Sequence, residues 1–84
     1  MKDKILVLVY VPLLEQEYDI YIPIVKKIGT VKNYIIDIIS EMNDGNFDSN
    51  HSQYLYDKLT GDILDENLFV KQSNIKNGTK LILY

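Results

Sequence analysis

The sequence predicts an α+β fold in which a single helix packs on one face of a β-sheet, in the order ββαββ, a connecting turn, then β. Three observations predict it. The run Lys4 to Val11 is apolar on both parities and rich in β-branched residues, as in the middle strand of a sheet. At Thr30 the spacing of apolar residues changes from two to 3.6, and from Gln53 onward alternation returns. The 84 residues leave room for one domain and one core, and no repeat, low-complexity tract or linker divides them, so residues 1–84 read as a single unit.

Pro12 is expected to end the first strand, because proline fixes φ and brings no ladder donor. Leu13 to Gln16 then turn the chain, and Glu17 to Ile22 alternate up to Pro23 as the second arm of a hairpin. In the helix, Val31, Tyr34, Ile35, Ile38, Ile39 and Met42 form the expected buried stripe, with Thr30 as N-cap after Gly29 and Asn43 to Asn46, including Gly45, as the stop. Gln53 to Tyr56 read as a third strand, Asp57 to Gly61 as a tight turn, and Ile63 with Leu64 as a short fourth strand. Leu68, Phe69, Val70 and Ile75 have the irregular spacing of a short helical turn. After Asn77 and Gly78, Thr79 to Tyr84 form the last strand.

Composition removes several function classes. The 9 lysines against 12 acidic residues give a net charge of −3, and neither half is basic, so nucleic acid and direct membrane binding are not expected. With no cysteine there is no disulfide, thiolate metal site or thiol catalysis. Ile5 to Val11 is too short to span a bilayer and lacks a cleavage site, so a cytoplasmic protein is expected.

No catalytic, cofactor or metal site emerges from the residues. His51 stands in a polar loop without further ligands, and is read as a solvated residue. Asp44, Asn46, Asp48 and Asn50 alternate like the first ligands of a calcium loop, but the glycine at position six and the acidic residue at position twelve are missing. Asp57, Asp62, Asp65 and Glu66 surround a short hairpin and are expected to face water, while Lys26 and Lys27 lack the glycines of a phosphate cradle. The chain is therefore read as a non-enzyme.

The element order resembles the ubiquitin-like β-grasp superfold, which implies a mixed sheet and a short 3₁₀ turn before the last strand. The spacing of Leu59-Thr-Gly61, Leu64, Leu68 and Ser73-Asn-Ile75 is similar to ubiquitin's third-strand turn, 3₁₀ segment and closing strand, and Thr30-Val31, Tyr34 and Ile38 are similar to the start of its helix. Within that superfold the chain resembles the bacterial YukD (EsaB) family found with type VII secretion systems. The likeness lies in the apolar first strand, Tyr18-Asp19-Ile20 followed by Ile22-Pro23, the Lys- and Ile-rich helix and the final Tyr84. It implies an accessory, protein-binding role, with a membrane ATPase or membrane subunit of the secretion apparatus as partner and recruitment to the membrane through it. Carriers and modifiers of this superfold end in a flexible Gly-Gly that threads into an activating enzyme. This sequence ends in Leu83-Tyr84, so conjugation and sulfur transfer are not expected. The alternative is a β-grasp sulfur carrier or modifier that is made as a precursor or acts without glycine; a third reading is a domain that associates with itself.

Parity supplies the candidate site. If Ile5, Val7 and Val9 face the helix, Leu6, Leu8 and Tyr10 face away; Lys80 shares the parity of Ile82 and Tyr84, and Leu55 inward leaves Tyr54 and Tyr56 outward. A β-grasp sheet sets its first, last and third strands side by side, so Leu6, Leu8, Tyr54, Tyr56, Ile82 and Tyr84 are expected to form one outer patch that binds a protein partner. Ile36, off the helical stripe, is expected as a second exposed contact.

Overall fold

A computed structural model describes residues 3–45, 47 and 52–84. The elements are β1 (Lys4–Val11), β2 (Gln16–Pro23), α1 (Ile28–Met42), β3 (Leu55–Asp57), a 3₁₀ turn (Val70–Gln72) and β4 (Thr79–Leu83). The sheet order is β2-β1-β4-β3, with β1 and β4 parallel at the centre and antiparallel pairs on either side. A parallel central pair needs a long crossover, and residues 24 to 78, which include α1, supply it.

The hairpin forms where the sequence expects it. Lys4 pairs with Pro23 and Val11 with Gln16, and the turn closes through Leu14 N–H to the Val11 carbonyl and Glu15 N–H to the Pro12 carbonyl, both at 3.1 Å. On the inner face Val7, Val9, Val11, Ile20, Ile22, Leu55, Leu81 and Leu83 are buried against Ile28, Val31, Ile35, Ile36 and Ile39 of α1. β4 is fixed beside β1 at its start: Leu6 donates its N–H to Asn77 Oδ1 at 2.8 Å, and Gly78 donates to the Leu6 carbonyl at 2.7 Å.

Three expectations need correction. First, α1 starts at Ile28, two residues before the expected cap, and Thr30 is an exposed helical residue. No side chain caps it. Instead Ile28 N–H donates to the Leu68 carbonyl at 2.8 Å and Gly29 N–H to the Glu66 carbonyl at 3.0 Å, so a distant loop takes the free donors of the first turn. That loop comes so near Gly29 that a Cβ there would meet Glu66 atoms at 3.2 Å.

Second, the buried stripe of α1 is rotated. Ile36 is fully buried and Lys32 and Ser40 lie in the core layer, whereas Tyr34 and Met42 are 46% and 63% exposed. Ile36 is therefore not an exposed contact. The cause is the crossover, which covers the 32/36/40 side of α1: Lys32 Nζ pairs with Glu66 Oε2 at 2.9 Å, and Ser40 donates its hydroxyl to the Phe47 carbonyl at 3.1 Å.

Third, Ile63 and Leu64 form no strand, only a single bridge from Ile63 to Tyr56. The Asp57 carboxylate takes the N–H groups of Leu59 and Thr60, and the Thr60 hydroxyl takes that of Asp62. Side chains thus hold the turn whose backbone would otherwise extend the ladder. Gly61, at φ +79°, supplies the left-handed residue this turn needs.

Candidate partner-binding face

The face of the sheet away from α1 is read directly from the register. In one row across the strands stand Glu17, Tyr10, Ile82 and Tyr56; in the next, Asp19, Leu8 and Lys80; in the third, Tyr21 and Leu6. Tyr10, Ile82 and Tyr56 are therefore direct neighbours at the centre of an apolar step, with Leu8 and Leu6 following along β1. All five are partly exposed. Lys58, in the turn after β3, reaches back across the sheet: its Nζ lies 5.0 Å from the centroid of the Tyr10 ring and 4.0 Å from Glu17 Oε2.

Of the six expected patch residues, Leu6, Leu8, Tyr56 and Ile82 stand on this face. Tyr54 does not join them. Its ring meets Lys32 Nζ of α1 at 5.2 Å from the centroid, so it turns round the sheet edge toward the helix. Residue 54 precedes β3 and is not held by the pleat of that strand, and the buried ammonium of Lys32 offers its ring a cation–π partner. Tyr84 follows β4 and exchanges backbone hydrogen bonds with Tyr54 at 2.9 and 3.3 Å. It is 71% exposed at the hairpin end of the sheet, where it lines a shallow cavity with Val11, Leu13 and Phe47. Tyr10 and Tyr21, which are not among the expected patch residues, also stand on this face. Parity already placed Tyr10 outward; what was missing was the parallel register that sets it beside Ile82.

The other candidates have structural occupations. The Asp57 carboxylate builds its turn, Asp65 accepts from Asn67 N–H at 2.9 Å, and Glu66 pairs with Lys32. Among the described residues no group of His, Asp and Glu side chains is placed to hold a metal ion. Lys27 lies 5.9 Å from the Phe69 ring, away from Lys26, which lines a groove with Pro23 and Tyr34. His51, and Asn46, Asp48 and Asn50 of the calcium-like spacing, lie outside the described residues. No described helix is long and apolar enough to cross a membrane.

A mixed sheet in the order β2-β1-β4-β3, one helix across its inner face and a 3₁₀ turn before the last strand define a ubiquitin-like β-grasp domain. No family model matches the chain, and no curated protein matches its sequence. Solved structures do. The ubiquitin-like domain of the Mycobacterium tuberculosis type VII secretion system protein ECCD1 superposes with a TM-score of 0.71 at 15% identity, over 95% of this chain and 96% of that one. A chain of the MycP5-free ESX-5 inner membrane complex gives 0.78 at 9% identity; it covers 98% of this chain, which spans only 21% of that much longer one. The C-terminal ubiquitin-like domain of human 2'-5'-oligoadenylate synthetase-like protein gives 0.67 at 22% identity, over 99% and 84% of the two chains. At these identities the likeness is one of fold.

Proposed function

We propose that this chain is a non-enzymatic, YukD-like adaptor of a bacterial type VII secretion apparatus, working in the cytoplasm. It docks a protein partner through the outer sheet face. The observation that carries the reading is the contiguous row Tyr10, Ile82 and Tyr56, continued by Leu8 and Leu6, on a side of the sheet that no element covers among the described residues. Tyrosines suit such a role because they offer apolar area and a polar tip with few torsions to freeze. The fold shared with domains from type VII secretion proteins supports the choice of apparatus, and a membrane ATPase or membrane subunit is the partner class proposed. On binding, the Lys58 ammonium is displaced from Tyr10 or meets a partner carboxylate, while Lys80 and Asp19 beside Leu8 set orientation at the rim.

The test is co-purification of the tagged chain with the type VII ATPase and membrane subunits of the same genome. Ile82→Lys combined with Tyr56→Ala is expected to reduce their recovery at least tenfold with the melting transition retained. Equal recovery of those subunits by a folded variant would remove this face from the proposal, and recovery of neither subunit by the unaltered chain would remove the apparatus.

A further inference from the structure

A second surface, adjoining the outer face at Glu17, Asp19 and Tyr21, lies along the edge of β2. This strand is eight residues long and has only β1 as a neighbour among the described residues. Ile24 donates its N–H toward β1, to the Asp3 carbonyl at 2.9 Å, which fixes the alternation: even-numbered residues of β2 bond to β1, and Glu17, Asp19 and Tyr21 aim their N–H and C=O groups away from it. Such an edge is a template for another strand. Above it runs the flank of α1 that the sequence expected to be buried. Thr30, Tyr34, Ile38 and Met42 follow one another at four-residue intervals on one line of the helix. The helix lies antiparallel to β2: Tyr34 shares a groove with Pro23, and Asn43 Nδ2 donates to the Tyr18 hydroxyl at 3.1 Å. The exposed ring of Tyr34 and thioether of Met42 on that flank therefore accompany the edge.

We propose that β2 pairs with β2 of a second copy, antiparallel about a two-fold axis at Ile20, to make one continuous eight-stranded sheet. The charges favour a second copy as the occupant. At the Pro23 end, Lys4 and Lys26 line the groove, with Asp3 beside them. At the Gln16 end stand Glu15 and Glu17, with Glu41 and Asp44 at the end of α1, four carboxylates against Lys58, which reaches Glu17 at 4.0 Å. Two-fold antiparallel pairing brings the basic end of each copy to the acidic end of the other, a match that symmetry supplies without any further design. The same charges select the register. An axis at Asp19 would set that carboxylate directly against itself; an axis at Ile20 sets Asp19 against Tyr21 and Glu17 against Pro23, so no like charges are directly opposed. Tyr21 and Asp19 then exchange N–H and C=O groups across the junction. Pro23, which has no N–H, accepts from Glu17 at each end. The two helices run antiparallel on the same side of the joined sheet, and the exposed Tyr34 and Met42 flanks face each other.

Amide hydrogen exchange of the full chain, followed by NMR at dilute and at near-millimolar concentration, tests this. The expected result is a period-two change: the amides of Glu17, Asp19 and Tyr21 gain at least tenfold protection with concentration, while those of Tyr18, Ile20 and Ile22 are protected throughout. Sedimentation should show a dimer that Tyr21→Pro abolishes. Because a proline can perturb the strand itself, Tyr34→Glu with Met42→Glu provides a second block on the helix, and Asp19→Asn is expected to tighten the dimer about threefold by relieving the diagonal pair of carboxylates. A monomer at every concentration overturns the proposal. So does a dimer indifferent to both blocks, or protection of these amides that follows an added extended peptide and not the concentration of the chain.

Discussion

Val9 and Tyr10 are adjacent in sequence, and so are Leu81 and Ile82, yet the first of each pair is fully buried and the second is partly open to water. The two faces of this sheet use nearly the same apolar chemistry. What separates them is α1, which covers one parity, while no element covers the other among the described residues. Burial is thus assigned by the element placed across the sheet, and apolar groups on the other parity stay partly open to water.

The comparison can be broken most sharply from the inside. Leu81→Ala empties a fully buried site in a central strand and is expected to destabilise the domain by about 3 kcal/mol, a large share of the total for a chain this short; urea unfolding measures it. Lys32→Met tests the flank of α1 where a charge enters the core layer. It keeps the aliphatic stem but removes the pairing with Glu66 and the Tyr54 ring, and a loss of about 1 to 2 kcal/mol is expected, since the Glu66 side chain is partly hydrated. Its thermal midpoint and the shifts of the Tyr54 ring protons report it.

The outer face should respond more weakly. Ile82→Ala removes the centre of the Tyr10 and Tyr56 row, where cross-strand pairs contribute a few tenths of a kcal/mol each, so about 1 kcal/mol or less is expected while partner recovery falls. A cost equal to that of Leu81→Ala would mean that the two faces are not energetically distinct. Lys58→Ala is the smallest change. Its contact with Glu17 is long and its side chain well hydrated, so stability should stay within about 0.5 kcal/mol, and only the Tyr10 ring shifts should move.

Much of this was legible in the residues. The alternation of β1 and β2 gave the hairpin, and Pro12 and Pro23 stand where the strands turn or end. The Asp57 to Gly61 turn, the 3₁₀ segment and the inward parity of Leu55, Leu81 and Leu83 stand as the sequence predicts. Four of the six patch residues occupy the outer face because a strand cannot turn one side chain over without turning all of them. Tyr54 escaped that constraint by standing just before its strand.

Three of the departures share a cause: the start of α1, the rotation of its buried stripe and the depth of Ile36 all depend on where the segment after α1 folds back. Its hold rests on Ile28 and Gly29 with the 66–68 loop, Lys32 with Glu66, and Ser40 with Phe47. The missing fifth strand follows instead from the turn that the Asp57 and Thr60 side chains hold. Periodicity along the chain determined the two hairpin strands, the last strand, the presence of the helix and the outward parity of Leu6, Leu8, Tyr56 and Ile82, because pleat and helical turn are local geometry. Only the tertiary structure decided which helix flank is covered, that β1 and β4 lie in parallel register, and that β2 has only β1 as a strand neighbour among the described residues. Those outcomes come from hydrogen bonds and packing between residues tens of positions apart, which no local pattern encodes.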